Sequence, residues 1–203
     1  MSFLRSIFGP SKAEIWSQVA AEIGGQYVEG GFWGRAQLRC QSGEWELVLD
    51  TYTVSSGNSS TTYTRMRAPF VNKDGLYFKI YRTGFFSAIG KWLSMQDIEI
   101  GVPVFDENYV IKGNDEEKVR RLLASPEVRA LMDAQPRITV EIKDDEGFFG
   151  QSYPDGVDIL HFVCVGVIKD PDVLKDLFDL FCAILERLVQ IDSAYENDPG
   201  IVI

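Results

Sequence analysis

The first run of periodic apolar positions is Ile15, Trp16, Val19, Ala20 and Ile23, spaced for one face of a helix. Ser11 and Glu14 precede it at capping-box spacing, and Gly24-Gly25 ends it. Short strand-like pieces follow at 26–29 and 35–40, around the glycine-rich stretch 30–34. Over residues 44–54 the period changes: Trp45, Leu47 and Leu49 alternate with polar neighbours, as in a half-buried strand. A Ser-Ser-Gly-Asn-Ser-Ser turn follows, and 61–71 returns. A turn centred on Gly57 and Asn58 sets Tyr52 opposite Tyr63 and Asp50 opposite Arg65, both favourable cross-strand pairs. Asn72-Lys73-Asp74-Gly75 is a second turn and 76–81 a further strand. Connections this short exclude crossover helices, so these strands form an antiparallel meander.

Residues 98–100 and 105–112 also read as strands. Asn114 then caps a helix, with Glu117 at the capping-box position and Val119, Leu122 and Leu123 as its apolar stripe. Ser125-Pro126 opens a shorter helix that turns Val128, Leu131 and Met132 inward. Residues 137–143 form a strand whose partner is 157–168, with 144–156 between them as a loop. Apart from Asp158 and His161, 157–168 is apolar on both faces, the pattern of a central strand covered on both sides. Asp170-Pro171 starts the longest helix, with a wide stripe that includes Leu174, Leu177, Phe178, Phe181, Leu185 and Leu188. These elements predict an α+β fold: an antiparallel sheet with helices packed on one face and a long C-terminal helix as the main cover. No linker-like spacer divides the chain. The expectation is a single domain over 1–203, with an ordered core at 11–192 and terminal segments at 1–10 and 193–203.

Charge narrows the partners. The net charge is -10 at pH 7, which repels phosphate backbones and anionic lipid, so nucleic acid is not an expected partner. Residues 1–10 are too short and too sparsely apolar for a membrane span or a signal-peptide core. Three cysteines, Cys40, Cys164 and Cys182, lack paired spacing and fit a reducing, cytoplasmic setting.

Candidate chemistry is sparse. The single histidine, His161, is three residues from Cys164 on one strand, which points the two side chains to opposite faces and disfavours a Cys–His nucleophile. A satisfied core histidine is the favoured reading. Asp144, Asp145 and Glu146, with Asp155 and Asp158, lack the ligand spacing of a calcium loop and read as a solvated tip. Glu46, Asp50, Arg65 and Arg67 share a polar sheet face, where an exposed pair such as Asp50–Arg65 contributes about 0–1 kcal/mol. The sequence predicts no catalytic, metal or cofactor-binding residue. The segment richest in aromatics holds Phe85, Phe86, Ile89 and Trp92 between Gly84 and Gly90. Core packing is the favoured reading there, and a surface for a protein partner or a second copy is the alternative.

Several stretches together carry a resemblance. They are 45–70, with Asp50-Thr51-Tyr52-Thr53 and Thr62-Tyr63-Thr64-Arg65-Met66-Arg67-Ala68-Pro69-Phe70; Gln96-Asp97-Ile98-Glu99-Ile100-Gly101; Phe105-Asp106; Ile111-Lys112-Gly113-Asn114; helical 118–131; and the last strand and helix. Over most of 11–192 the chain resembles a group of bacterial proteins of unknown function. It is distantly similar to bacterial domains of unknown function that follow membrane spans. The resemblance implies a bacterial, non-secreted protein and transfers no functional residue. A non-enzymatic binding or adaptor domain is the favoured function. A hydrolase-like enzyme with no recognisable motif and a structural or assembly subunit are the alternatives.

Overall fold

The computed structural model describes residues 9–31, 35–84, 97–144, 153–201 and 203. Among them, nine strands form one sheet in the order β1-β2-β3-β4-β8-β7-β5-β6, with β9 beside β4. The strands are β1 (Gln26–Val28), β2 (Gln37–Ser42), β3 (Trp45–Ser56), β4 (Ser59–Asn72), β5 (Phe78–Arg82), β6 (Tyr109–Gly113), β7 (Thr139–Lys143), β8 (Val157–Val165) and β9 (Ala194–Tyr195). Every pairing is antiparallel. The described residues form five helices, α1 (Lys12–Glu22), α2 (Pro103–Asn108), α3 (Glu116–Leu123), α4 (Pro126–Ala134) and α5 (Pro171–Gln190). The α+β architecture and the C-terminal helix agree with the sequence reading.

The β3–β4 hairpin forms as its pattern predicts. Gly57 adopts φ +59°, and the register places Asp50 opposite Arg65 and Tyr52 opposite Tyr63. Beyond Val48↔Arg67, β3 no longer pairs with β4, and β9 pairs from Val71 onward. Pro69 falls in the gap between them, where no strand on that side needs the N–H that proline lacks. The next turn is tied by Asn72, whose Oδ1 accepts from the Gly75 N–H at 3.0 Å.

One face of the sheet carries the main core. Trp45, Leu47, Leu49, Met66, Ala68, Phe70, Val140, Leu160 and Phe162 pack with Trp16, Val119, Leu122, Met132, Phe178, Phe181 and Leu185 of the helices. Phe181 is fully buried, as is Trp16, whose Nε1 donates to the Ile168 carbonyl at 3.0 Å. Helix α5 starts at Asp170, whose carboxylate accepts from the Asp172 and Val173 N–H groups. Among the described residues no helix is long and apolar enough to cross a membrane.

Three local readings change. Residues 98–100 are not a strand, although the Ile98 N–H donates to the Ile111 carbonyl at 2.8 Å. Residues 105–112 are a helix followed by a strand. Pro103 sets the first turn of α2, and the Asp106 carboxylate accepts from the Ile100, Gly101 and Val102 N–H groups, so the chain turns before β6 begins. Asp115, not Asn114, caps α3 by accepting from Lys118 N–H. Asn114 instead ties the edge of β5, accepting from Tyr77 N–H and donating to the Gly75 carbonyl.

Candidate functional site

Period-two alternation turns every second residue of each strand away from the helices. On β3, β4, β8, β7, β5 and β6 these residues include Asp50, Arg65, Arg67, His161, Glu141, Lys79 and Lys112. Register converts them into a row: Arg67 lies beside His161, His161 beside Glu141, Glu141 beside Lys79, and Lys79 beside Lys112. All five are buried, at 5 to 9% exposure, and so is Asp50 at 1%. Val48, Tyr81, Val157 and Ile159, buried on the same side, lie outside the helix-side core. The sheet face turned away from the five described helices is therefore a second buried layer, and it is charged.

The row has two centres. At the first, Asp50 accepts a two-pronged contact from Arg65, Nε to Oδ1 at 2.9 Å and Nη2 to Oδ2 at 2.7 Å, and a third bond from Arg67 Nη2 at 3.1 Å. Burial opposes ionisation of Asp50. The Arg65 hydrogen bonds and the charges of Arg65, Arg67 and Arg35 outweigh it and hold the carboxyl below its usual range. Tyr52 and Tyr63 stack beside this centre with ring centroids 5.2 Å apart, and Arg65 lies over Tyr52 at 5.4 Å. Glu46 points to the same face but pairs with Arg39 at 2.8 Å.

At the second centre, Glu141 receives Lys79 Nζ on Oε2 and Lys143 Nζ on Oε1, each at 3.1 Å, with His161 Nδ1 3.6 Å from Oε1. Burial again opposes ionisation, and His161, Lys143 and Lys79 together overcome it, holding Glu141 down to about 2. Burial pulls His161 down to about 4 against the pull of Glu141, with Lys143 and Arg65 adding to the fall. At neutral pH the pair is thus a neutral imidazole and a carboxylate.

The structure corrects two expectations. Asp50–Arg65 is not an exposed pair, because the face it occupies is covered rather than solvated. His161 is buried, but not in the helix-side core: it stands in the charged row, and its Nδ1 has no hydrogen-bond partner within 3.5 Å. The opposite orientation of His161 and Cys164 is borne out, since Cys164 packs against the helix-side core. Burial raises the Cys164 thiol to about 11, and raises Cys40 and Cys182 as well. Asp158 holds the chain in place: its carboxylate accepts from Asn72 Nδ2 at 2.5 Å and from the Tyr77 hydroxyl at 3.3 Å, fixing the turn after β4. Among the described residues no cluster is suited to a metal ion. Phe85, Phe86, Ile89 and Trp92, the segment singled out as a candidate partner surface, lie outside the described residues.

Sequence reasoning missed Lys79, Glu141 and Lys112. Each is a lone charge at an outward strand position, which reads as a solvated face. The available signal was the apolar company on that same face, Val157, Ile159 and Val163 in 157–168, which marks it as covered.

No protein-family model matches the chain, and no curated protein matches it. Among solved structures, the crystal structure of the mycobacterial trehalose monomycolate transport factor A, TtfA, is similar at a TM-score of 0.49, with 8% sequence identity over 87% of this chain and 95% of that one. A likeness of that degree says nothing about this chain's ligand or activity.

Proposed function

We propose that this protein is a non-enzymatic binding or adaptor domain of the bacterial cytoplasm, and that the charged row on the sheet face turned away from the five described helices holds its recognition groups. One observation carries the reading: Arg67, His161, Glu141, Lys79 and Lys112 stand in register as a row of buried polar and charged side chains. Buried charges are costly to desolvate, and apolar residues of similar size commonly give equal or greater stability. Their alignment across five strands therefore favours a recognition role. Fixed protonation separates this reading from catalysis. A general base works best with a pKa near the operating pH, whereas His161 at about 4 and Glu141 at about 2 keep one charge state throughout the neutral range. Such groups suit a site that holds a constant charge. Three free cysteines support the cytoplasmic setting.

Because His161 is the only histidine, its ring proton signal is unambiguous in a one-dimensional NMR titration. The binding reading expects a midpoint near 4. A midpoint between 6 and 7 would restore proton-transfer chemistry and overturn it.

A further inference from the structure

We infer that a groove between α4 and α5 docks a partner protein through an amphipathic helix that carries lysine or arginine beside its apolar stripe. The groove lies on the helix side of the sheet, away from the charged row, so the inference goes beyond the reading above and stands without it. Helical spacing builds the groove. On α4, Glu127, Ala130 and Leu131 fall at i, i+3 and i+4 and share one face. On α5, Asp179, Cys182, Ala183 and Glu186 do the same at i, i+3, i+4 and i+7. Val128 and Met132 of α4 and Phe178, Phe181 and Leu185 of α5 turn into the core instead. The two outer faces meet along a groove of about 390 Å³. Its floor is apolar: Leu131, Cys182 and Ala183 are half-buried against the core, and Ala130 is exposed.

The rim is acidic. Glu127, Asp179 and Glu186 are exposed, and among the described residues none of them is in an ion pair. The cations of the two helices are held elsewhere. Lys175 pairs with Glu22 and Asp172, Arg187 donates to the Arg121 carbonyl and to Gln190, and Arg129 donates to the Leu123 carbonyl. Burial and the charges of Asp176 and Glu127 raise the Asp179 carboxyl above its usual range, a repulsion that a bound cation relieves. The acids are spread along two helices rather than clustered as metal ligands. Charge complementarity therefore selects a basic occupant, and a chain of net charge -10 is a poor occupant for its own acidic groove. The apolar floor selects the form of that occupant. An amphipathic helix seats its stripe in a groove through residues three and four apart. Lysine and arginine lay their stems along apolar surface while the charged head stays at the rim.

The test titrates the whole protein with a synthetic helical peptide of leucine, alanine and lysine, and with a second peptide in which glutamate replaces every lysine, at fixed ionic strength. Isothermal calorimetry reads binding. The expected result is saturable binding of the lysine peptide and none of the glutamate peptide. Glu127→Gln, Asp179→Asn and Glu186→Gln together, all at exposed positions, should weaken it about tenfold or more. Glu29→Gln, Glu107→Gln and Glu196→Gln remove the same charge away from the groove and should change it less than about threefold. Ala130→Trp, also at an exposed position, fills the groove and should abolish binding. Absence of saturation with the lysine peptide, equal binding of the glutamate peptide, equal affinity in the two triple variants, or full affinity in Ala130→Trp overturns the assignment. So does a dimer of the protein alone, read by sedimentation, that Ala130→Trp dissolves, because the groove would then belong to a second copy.

Discussion

Neutralising Asp50 is the sharpest perturbation of the charged face. Asp50→Asn keeps the shape of the side chain and removes its charge. The carboxylate is 1% exposed and takes three charge-assisted hydrogen bonds, at 2.7, 2.9 and 3.1 Å. The side chains left behind are buried too, Arg67 at 6% and Arg65 at 14% exposure. Breaking one partner of a buried pair strands an uncompensated charge and costs about 3–5 kcal/mol, against about 0–1 kcal/mol for an exposed pair. Asparagine still accepts one hydrogen bond, so a loss of about 3 kcal/mol is expected. A domain's whole stability is of order 5–15 kcal/mol, so the loss is easily measured. Urea unfolding followed by fluorescence supplies the assay, with the midpoint read at unchanged m. Adding Arg67→Met to Asp50→Asn should restore part of the stability, because it removes a buried cation that has lost its bond to the Asp50 carboxylate. A loss below about 1 kcal/mol in Asp50→Asn would mean that water reaches the centre, and the description of a buried charged layer would be refuted.

Two further outcomes follow from the same structure. As pH falls, the unfolded chain protonates its histidine at about 6.5 while folded His161 resists to about 4, so stability present above pH 6.5 drains between 6.5 and 4; the gap corresponds to roughly 3 kcal/mol as an upper figure. Glu141, with its folded value near 2 against an ordinary 4.5, extends the loss below pH 4.5; urea midpoints that stay constant from pH 7 to 4 would contradict this. On the helix side, Phe181→Ala removes a fully buried ring of α5 and should cost about 3–5 kcal/mol in the same assay, and a loss under about 1 kcal/mol would mean the helix is peripheral.

What the sequence made legible was periodicity. The stripe of α5, the alternation of β3 and the turn at Gly57 and Asn58 each depend on neighbours a few residues apart, so local pattern was enough to place them. The same hairpin geometry put Asp50 opposite Arg65. What local pattern does not contain is depth. Whether an outward strand position meets water depends on what lies above the sheet, and Asp50–Arg65 read as exposed for that reason. Nor does it contain strand order. Lys79, Glu141 and His161 stand 62 and 20 residues apart along the chain, and they meet only because β8 inserts beside β4 and β7 beside β5. The helix at Pro103–Asn108 was missed for a more local reason: a buried Phe105 and an Asp106 bonded back to three backbone N–H groups look, as text, like an alternating strand.

The claim that the charged row serves binding rather than stability is tested most directly by replacing its second centre with apolar side chains. Lys79→Met, Glu141→Leu and His161→Leu together remove the buried pair and the ring without stranding a buried partner, while Lys143, at 33% side-chain exposure, can reach solvent. Buried ion pairs replaced in this way are commonly neutral or stabilising. The measurement is the unfolding free energy of the triple variant against the parent protein at pH 7. A row kept for binding predicts stability equal to the parent within about 1 kcal/mol, or higher. A loss of about 3 kcal/mol or more would make the row a structural necessity and contradict that claim.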